Sequence, residues 1–174
     1  MKLYFKQTPN SLGRLFGRGL AHGKEYDVTN EARQLLYAIH IDYEGLYIHD
    51  TEGRLIATVK AEALSASRCI IRTGNRMKDV FEWVKNQGYM WSNAGYIIKH
   101  TGNWHYDVVR ENTCVMRVVR KSRFRFICDN ADYQLDVPDT RYLFDGVIIT
   151  TAIALLNYHR ANFFPLFTLL FSEK

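Results

Sequence analysis

Arg117, Arg120, Lys121, Arg123 and Arg125 crowd one short stretch of this chain. Cations set around a turn at this density suit the phosphates of lipid headgroups, which they bind by charge and by hydrogen bonds. The same row also suits a charged strand face that discourages edge pairing, with Asp129, Asp132 and Asp136 close enough to neutralise part of it. Arg14 and Arg18 stand in a second basic stretch, glycine-rich from Gly13 to Gly23. Gly17-x-Gly19-x-x-x-Gly23 lacks the dinucleotide spacing, and no Gly-Lys-Ser/Thr of a phosphate loop is present, so a flexible basic connection is expected. Lys99, Trp104 and His105 form a smaller grouping that also reads as ordinary hairpin residues.

Catalytic patterns are missing. His22, His40, His49, His100, His105 and His159 occur singly, although His40 and His49 could meet across one hairpin and His100 and His105 flank another. Metal sites need convergent ligands, and neither HExxH nor CxxC occurs. Gly-x-Ser-x-Gly is absent, and the carboxylate pairs Asp129/Asp132 and Glu25/Asp27 fall at turns or strand ends. No nucleophile, base and oxyanion donor come together, so no enzyme, cofactor or metal is expected. The alternative is a small-ligand carrier or enzyme whose scattered His and Asp residues converge only in three dimensions.

Cys69, Cys114 and Cys128 are odd in number and unpaired in spacing, which fits small core residues in a reducing compartment better than disulfides. Met1–Lys6 turns polar before a signal-peptide core could form, so the expected location is cytoplasmic, or peripheral at a membrane. The net charge of +5 favours phosphate-bearing partners or simply solubility. Nucleic acid is not expected, because the aromatic residues alternate towards one strand face instead of interleaving with cations at a surface.

The elements that must position these groups are mostly strands. Apolar and polar residues alternate at Leu3–Lys6, Leu35–Ile41, Leu46–His49 and Leu55–Lys60. The pattern continues at Arg68–Thr73, Met77–Lys85, Gly95–His100, Trp104–Arg110, Cys114–Lys121, Arg123–Cys128 and Tyr133–Val137. Turn residues separate them, including Asp50-Thr51-Glu52-Gly53, Glu111-Asn112 and Lys121-Ser122. Regular short strands without intervening helices predict antiparallel pairing in a barrel or sandwich. The tail differs: Asp139 or Thr140 can cap a helix whose centre, Val147–Leu156, is apolar all round. Such a helix is buried or lies in lipid. A span needs about 20 apolar residues, and Asn157, His159 and Arg160 close this one sooner, so a buried helix over about 140–159 is predicted.

In outline the chain resembles the LURP-one-related family, within the tubby C-terminal-like and phospholipid-scramblase-like group. The matching pieces are Met1–Gln7 with Ser11-Leu12-Gly13, the stretch Leu46–Lys60, and the terminal Asp145–Asn157. The resemblance implies one domain over 1–174, a closed barrel of about twelve mostly antiparallel strands around the hydrophobic C-terminal helix. It makes Arg14–His22 an expanded first connection and 163–174 an extension past the usual end. Tubby domains bind phosphoinositides through basic barrel-surface side chains, but no motif here maps those positions, and the proline-rich, cysteine-rich and calcium-binding segments of scramblases are absent. The expected function is a non-enzymatic binding or scaffold domain associating with anionic phospholipid headgroups through Arg14, Arg18, Arg117, Arg120, Lys121, Arg123 and Arg125.

Overall fold

The computed structural model describes residues 1–8, 24–41, 45–62, 67–74, 78–102, 104–122 and 131–171, with helix side chains described as far as Asn157. Its strands are β1 (Lys2–Thr8), β2 (Lys24–Thr29), β3 (Leu35–Ile41), β4 (Leu46–His49), β5 (Leu55–Ala61), β6 (Arg68–Thr73), β7 (Asp79–Val84), β8 (Gly88–Trp91), β9 (Tyr96–His100), β10 (His105–Arg110), β11 (Thr113–Ser122) and β12 (Ala131–Asp136). Each pairs antiparallel with the next in sequence, and β12 returns to β1, with Lys2 opposite Asp136 and Phe5 opposite Tyr133. The result is a closed twelve-stranded barrel.

Alternation decides which side chains point inwards. Leu3 and Phe5, Tyr26 and Val28, Leu46 and Ile48, Ala57 and Val59, and Cys69 and Ile71 are buried, while the residue between the members of each pair is more exposed. An eight-stranded barrel leaves room only for side chains, and a wider one can hold a helix. Here α1 (Leu143–Phe171) fills that space. Residues 146–153 are all buried without interruption, so the helix turns no face to solvent there. It packs against β5, β6 and β12. Because β6 and β12 stand on opposite sides of the ring, a helix touching both must run through the lumen. Thr150 and Thr151, the polar residues in this stretch, donate their hydroxyls to the carbonyls of Gly146 and Val147 at 2.8 and 2.7 Å. No water is needed to satisfy them.

Four differences from expectation stand out. β2 and β8 are strands that were not singled out, and β11 continues through Lys121 and Ser122 where a turn was expected. Lys121 is strand-paired with Asp132 and Ser122 with Ala131. The expected strand Arg123–Cys128 lies outside the described residues. The helix, expected to end near 159, continues past Pro165, a residue that ordinarily stops a helix interior. Cys69 is buried as expected, and burial pushes its thiol well above the usual range. Cys114, expected in the core, is exposed instead, because it lies near the start of β11 beside a break in register between Val108 and Val109. Cys128 lies outside the described residues.

The lumen tolerates no unpaired charge. Ile149→Asp and Ile153→Asp are expected to abolish cooperative folding, since desolvating a lone carboxylate costs more than a domain's net stability of about 5–15 kcal/mol. Ile149→Val should cost only about 0.5–1.5 kcal/mol. Thermal unfolding of the three variants checks both statements. A second weak point is Gly88, whose φ is +97°, with the Ile98 carbonyl oxygen where a Cβ would sit. Gly88→Ala should therefore destabilise by several kcal/mol, roughly the sum of left-handed strain and a backbone clash. Urea denaturation measures it.

Candidate functional site

The two rims of the barrel differ in chemistry. The helix enters at one rim, formed by the turns at 30–34, 50–54, 92–95 and 111–112 and by the 140–142 turn before α1. It runs towards the other, the exit rim, where β7–β8 and β9–β10 turn back.

At the entry rim, carboxylates are tied into structure. Asp50 accepts from the backbone N–H groups of Glu52 and Arg54 and from the Arg54 guanidinium, which holds its carboxyl below the usual range. Asp139 caps the 140–142 turn and takes the Arg141 guanidinium at 2.8 Å, with the same effect on its carboxyl. Asp79 accepts from Trp91 Nε1 at 3.2 Å and Asn93 Nδ2 at 2.6 Å. Asp145, in the first turn of α1, accepts the Tyr96 hydroxyl at 2.7 Å. A carboxylate there also complements the positive end of the helix dipole. Burial first, and then Asp145, pushes the Tyr96 phenol upwards, while Arg110 lies 5.4 Å from its ring centre.

Near the exit rim the helix meets a second group of tyrosines. Asn157 Nδ2 donates to the hydroxyls of Tyr106 and Tyr133 at 3.3 and 3.4 Å. Burial dominates at Tyr133 and raises its phenol, with a smaller push from Tyr26 and an opposing pull from Asn157 and Arg120. Beside this cluster a cavity no larger than one water molecule is lined by Phe5, Tyr26, Ile39, Leu46, Tyr133, Thr151 and Ala154.

The expected cationic residues part company here. Arg117 points outwards and pairs with Asp107 at 2.7 Å. It belongs to a row of alternating sign across five strands, in which Lys99 faces Asp107, Asp107 faces Arg117, Arg117 faces Asp136, and Asp136 faces Lys2. Arg120 follows Met116 and Val118 on the inward-facing positions, is only 9% exposed, and sets its guanidinium 4.1 Å from the ring centre of Trp104. Lys121 is exposed, opposite Asp132 on β12. Arg14, Arg18, Arg123 and Arg125 lie outside the described residues. The strand ends that flank them are nonetheless adjacent: Thr8 pairs with Glu25, Ser122 pairs with Ala131, and β1 neighbours β12. The described strand ends on either side of both basic connections therefore lie at the exit rim.

Trp104 was legible only as a hairpin residue. It is 47% exposed, with φ of +70°, a conformation rare for a bulky side chain. Its carbonyl accepts the Arg120 backbone N–H at 2.9 Å, so the residue stacked on the indole also pins its backbone. On the adjoining hairpin Trp83 is 42% exposed and meets Tyr89 edge-on at 5.0 Å. Lys85, Lys99 and Lys121 are exposed along this same arc of the exit rim.

The histidines do not gather. His49 faces Ala38 and His40 faces Tyr47, so the two are not directly opposite. His100 and His105 flank the Trp104 hairpin, and His22 and His159 are outside the residues whose side chains are described. Among the described residues no three His, Cys, Asp or Glu side chains converge on a metal-sized site, and no helix is long and apolar enough to cross a membrane. No family model, curated protein or solved structure matches the chain.

The Arg120–Trp104 contact should be measurable. A double-mutant cycle between Trp104→Ala and Arg120→Met is expected to show coupling of about 1 kcal/mol, typical of a partly desolvated cation–π pair. Additive effects on unfolding free energy would show that the stack contributes nothing.

Proposed function

We propose that this is a non-enzymatic binding domain of the LURP-one-related, tubby C-terminal-like type, which docks its exit rim on anionic phospholipid. The observation that carries this reading is the pair of exposed tryptophans on neighbouring hairpins, Trp83 and Trp104, among Lys85, Lys99 and Lys121. Indole rings favour the headgroup depth of a bilayer, and cations beside them meet lipid phosphates. The strand ends that lead into the Arg14/Arg18 and Arg123/Arg125 connections lie at the same rim. The alternative, a pocket for a small ligand, gains no support from the apolar, water-sized cavity or from the helix that fills the lumen.

Flotation of the full chain with vesicles tests the proposal. Binding to phosphatidylglycerol-containing vesicles is expected at low salt, with weakening as salt rises and little binding to phosphatidylcholine alone. Trp83→Ala/Trp104→Ala should lower partitioning at least about tenfold, through loss of apolar area from the interface. Absence of binding at low salt would sink the lipid reading.

A further inference from the structure

We infer that the Trp104 hairpin makes lipid docking pH-dependent, through protonation of His100 and His105. The inference rests on the lipid reading above and adds a regulatory element to it. His100 ends β9 and His105 opens β10, so the two histidines flank the turn that carries the exposed Trp104. Both are exposed. Histidine is the side chain whose charge ordinarily changes between pH 5 and 8.

The surroundings determine what that change does. His100 faces Tyr106 on β10, ring centres 5.1 Å apart, and adjoins Lys99. On its other side, the turn after β7 carries the exposed Lys85. Behind Tyr106, the helix contributes Asn157, an uncharged partner. His105 faces Val119 on β11, where Arg117 and Lys121 flank Val119 on the same side of the sheet and Arg120 holds Trp104. Two carboxylates lie near, and each has a cation opposite. Asp107 is held by Arg117 at 2.7 Å, and Asp132, one strand further on, stands across from Lys121. Protonation therefore adds charge to a locally basic arc instead of completing an ion pair.

In free solution that added charge meets Lys85, Lys99 and Lys121. Against an anionic membrane it meets phosphate. The bound state thus favours the protonated imidazoles, and the gain is present at low pH and lost as pH rises through the histidine range. A charge near such a surface contributes roughly a fivefold gain in partitioning, so two contribute about thirtyfold.

The test is flotation of the full chain with vesicles of phosphatidylglycerol and phosphatidylcholine at pH 8, 7 and 6. Partitioning is expected to rise up to about thirtyfold from pH 8 to pH 6. His100→Gln/His105→Gln should give a flat profile, while His22→Gln should keep the rise. Unchanged thermal unfolding of the double variant between pH 8 and 6 separates binding from folding. Binding by the native chain that does not change with pH overturns the inference and leaves the lipid reading standing. So does a rise that survives in the double variant. No binding at any pH removes the lipid reading itself.

Discussion

A helix that is apolar on every side has to be surrounded, and the rest of this structure follows from that need. Val147, Ile148, Ile149, Ala152 and Ile153 are wholly buried, so no single packing face would have been enough. Twelve strands supply walls on all sides. The inward-facing residues of those strands meet the helix closely: a Cβ on Gly146 would lie 2.7 Å from Met116 Sδ and 2.8 Å from Leu135 Cδ2. Apart from Thr150 and Thr151, whose hydroxyls are satisfied within the helix, the polar side chains of the buried segment stand at its two ends, and each end is moored to tyrosine. Asp145 meets Tyr96 on β9, and Asn157 meets Tyr106 on β10 and Tyr133 on β12. These bonds fix how far the helix is threaded, which apolar contacts alone would leave free to slide.

The outside of the barrel obeys a different rule. Along its wall, cations and carboxylates face one another across strands, as in the row from Lys99 to Lys2. Exposed cross-strand pairs of this kind stabilise only slightly, by about 0.2–1 kcal/mol each, and opposite charges offset one another along that row. Distinct chemistry is left to the rims. Entry-rim carboxylates serve turns and the helix start, whereas tryptophan and lysine stand out at the exit rim.

Local pattern made much of this legible. β3, β4 and β6 were readable because their inward residues are apolar at every second position and glycine or asparagine marks the adjoining turns. β8 was not, because Gly88 and Tyr89 are buried in succession, which breaks the alternation that reveals the equally short β4. The extension of β11 through Lys121 and Ser122 was hidden by their turn-like chemistry; pairing with β12 overrides it. Arg120 is the clearest failure of local reading. An arginine among other cations suggests a solvated face, and its inward position depends on Trp104, sixteen residues earlier and meaningful only after the hairpin has folded. The exit-rim tryptophans were invisible for the same reason: exposure of an aromatic residue depends on where its strand ends.

Closure of the ring by β1 and β12 has a consequence for how the protein is made. Every other strand pairs with its immediate predecessor, so the sheet can grow by one hairpin after another as the chain leaves the ribosome. The seam cannot form until Asp136 is available to Lys2, and the helix that fills the interior is translated later still. During that interval the curved sheet has an open edge and an empty greasy hollow. Long-range closure of this sort is slow compared with hairpin formation. The nascent chain is therefore most exposed to aggregation just before α1 emerges, and that helix acts as the plug that ends the danger.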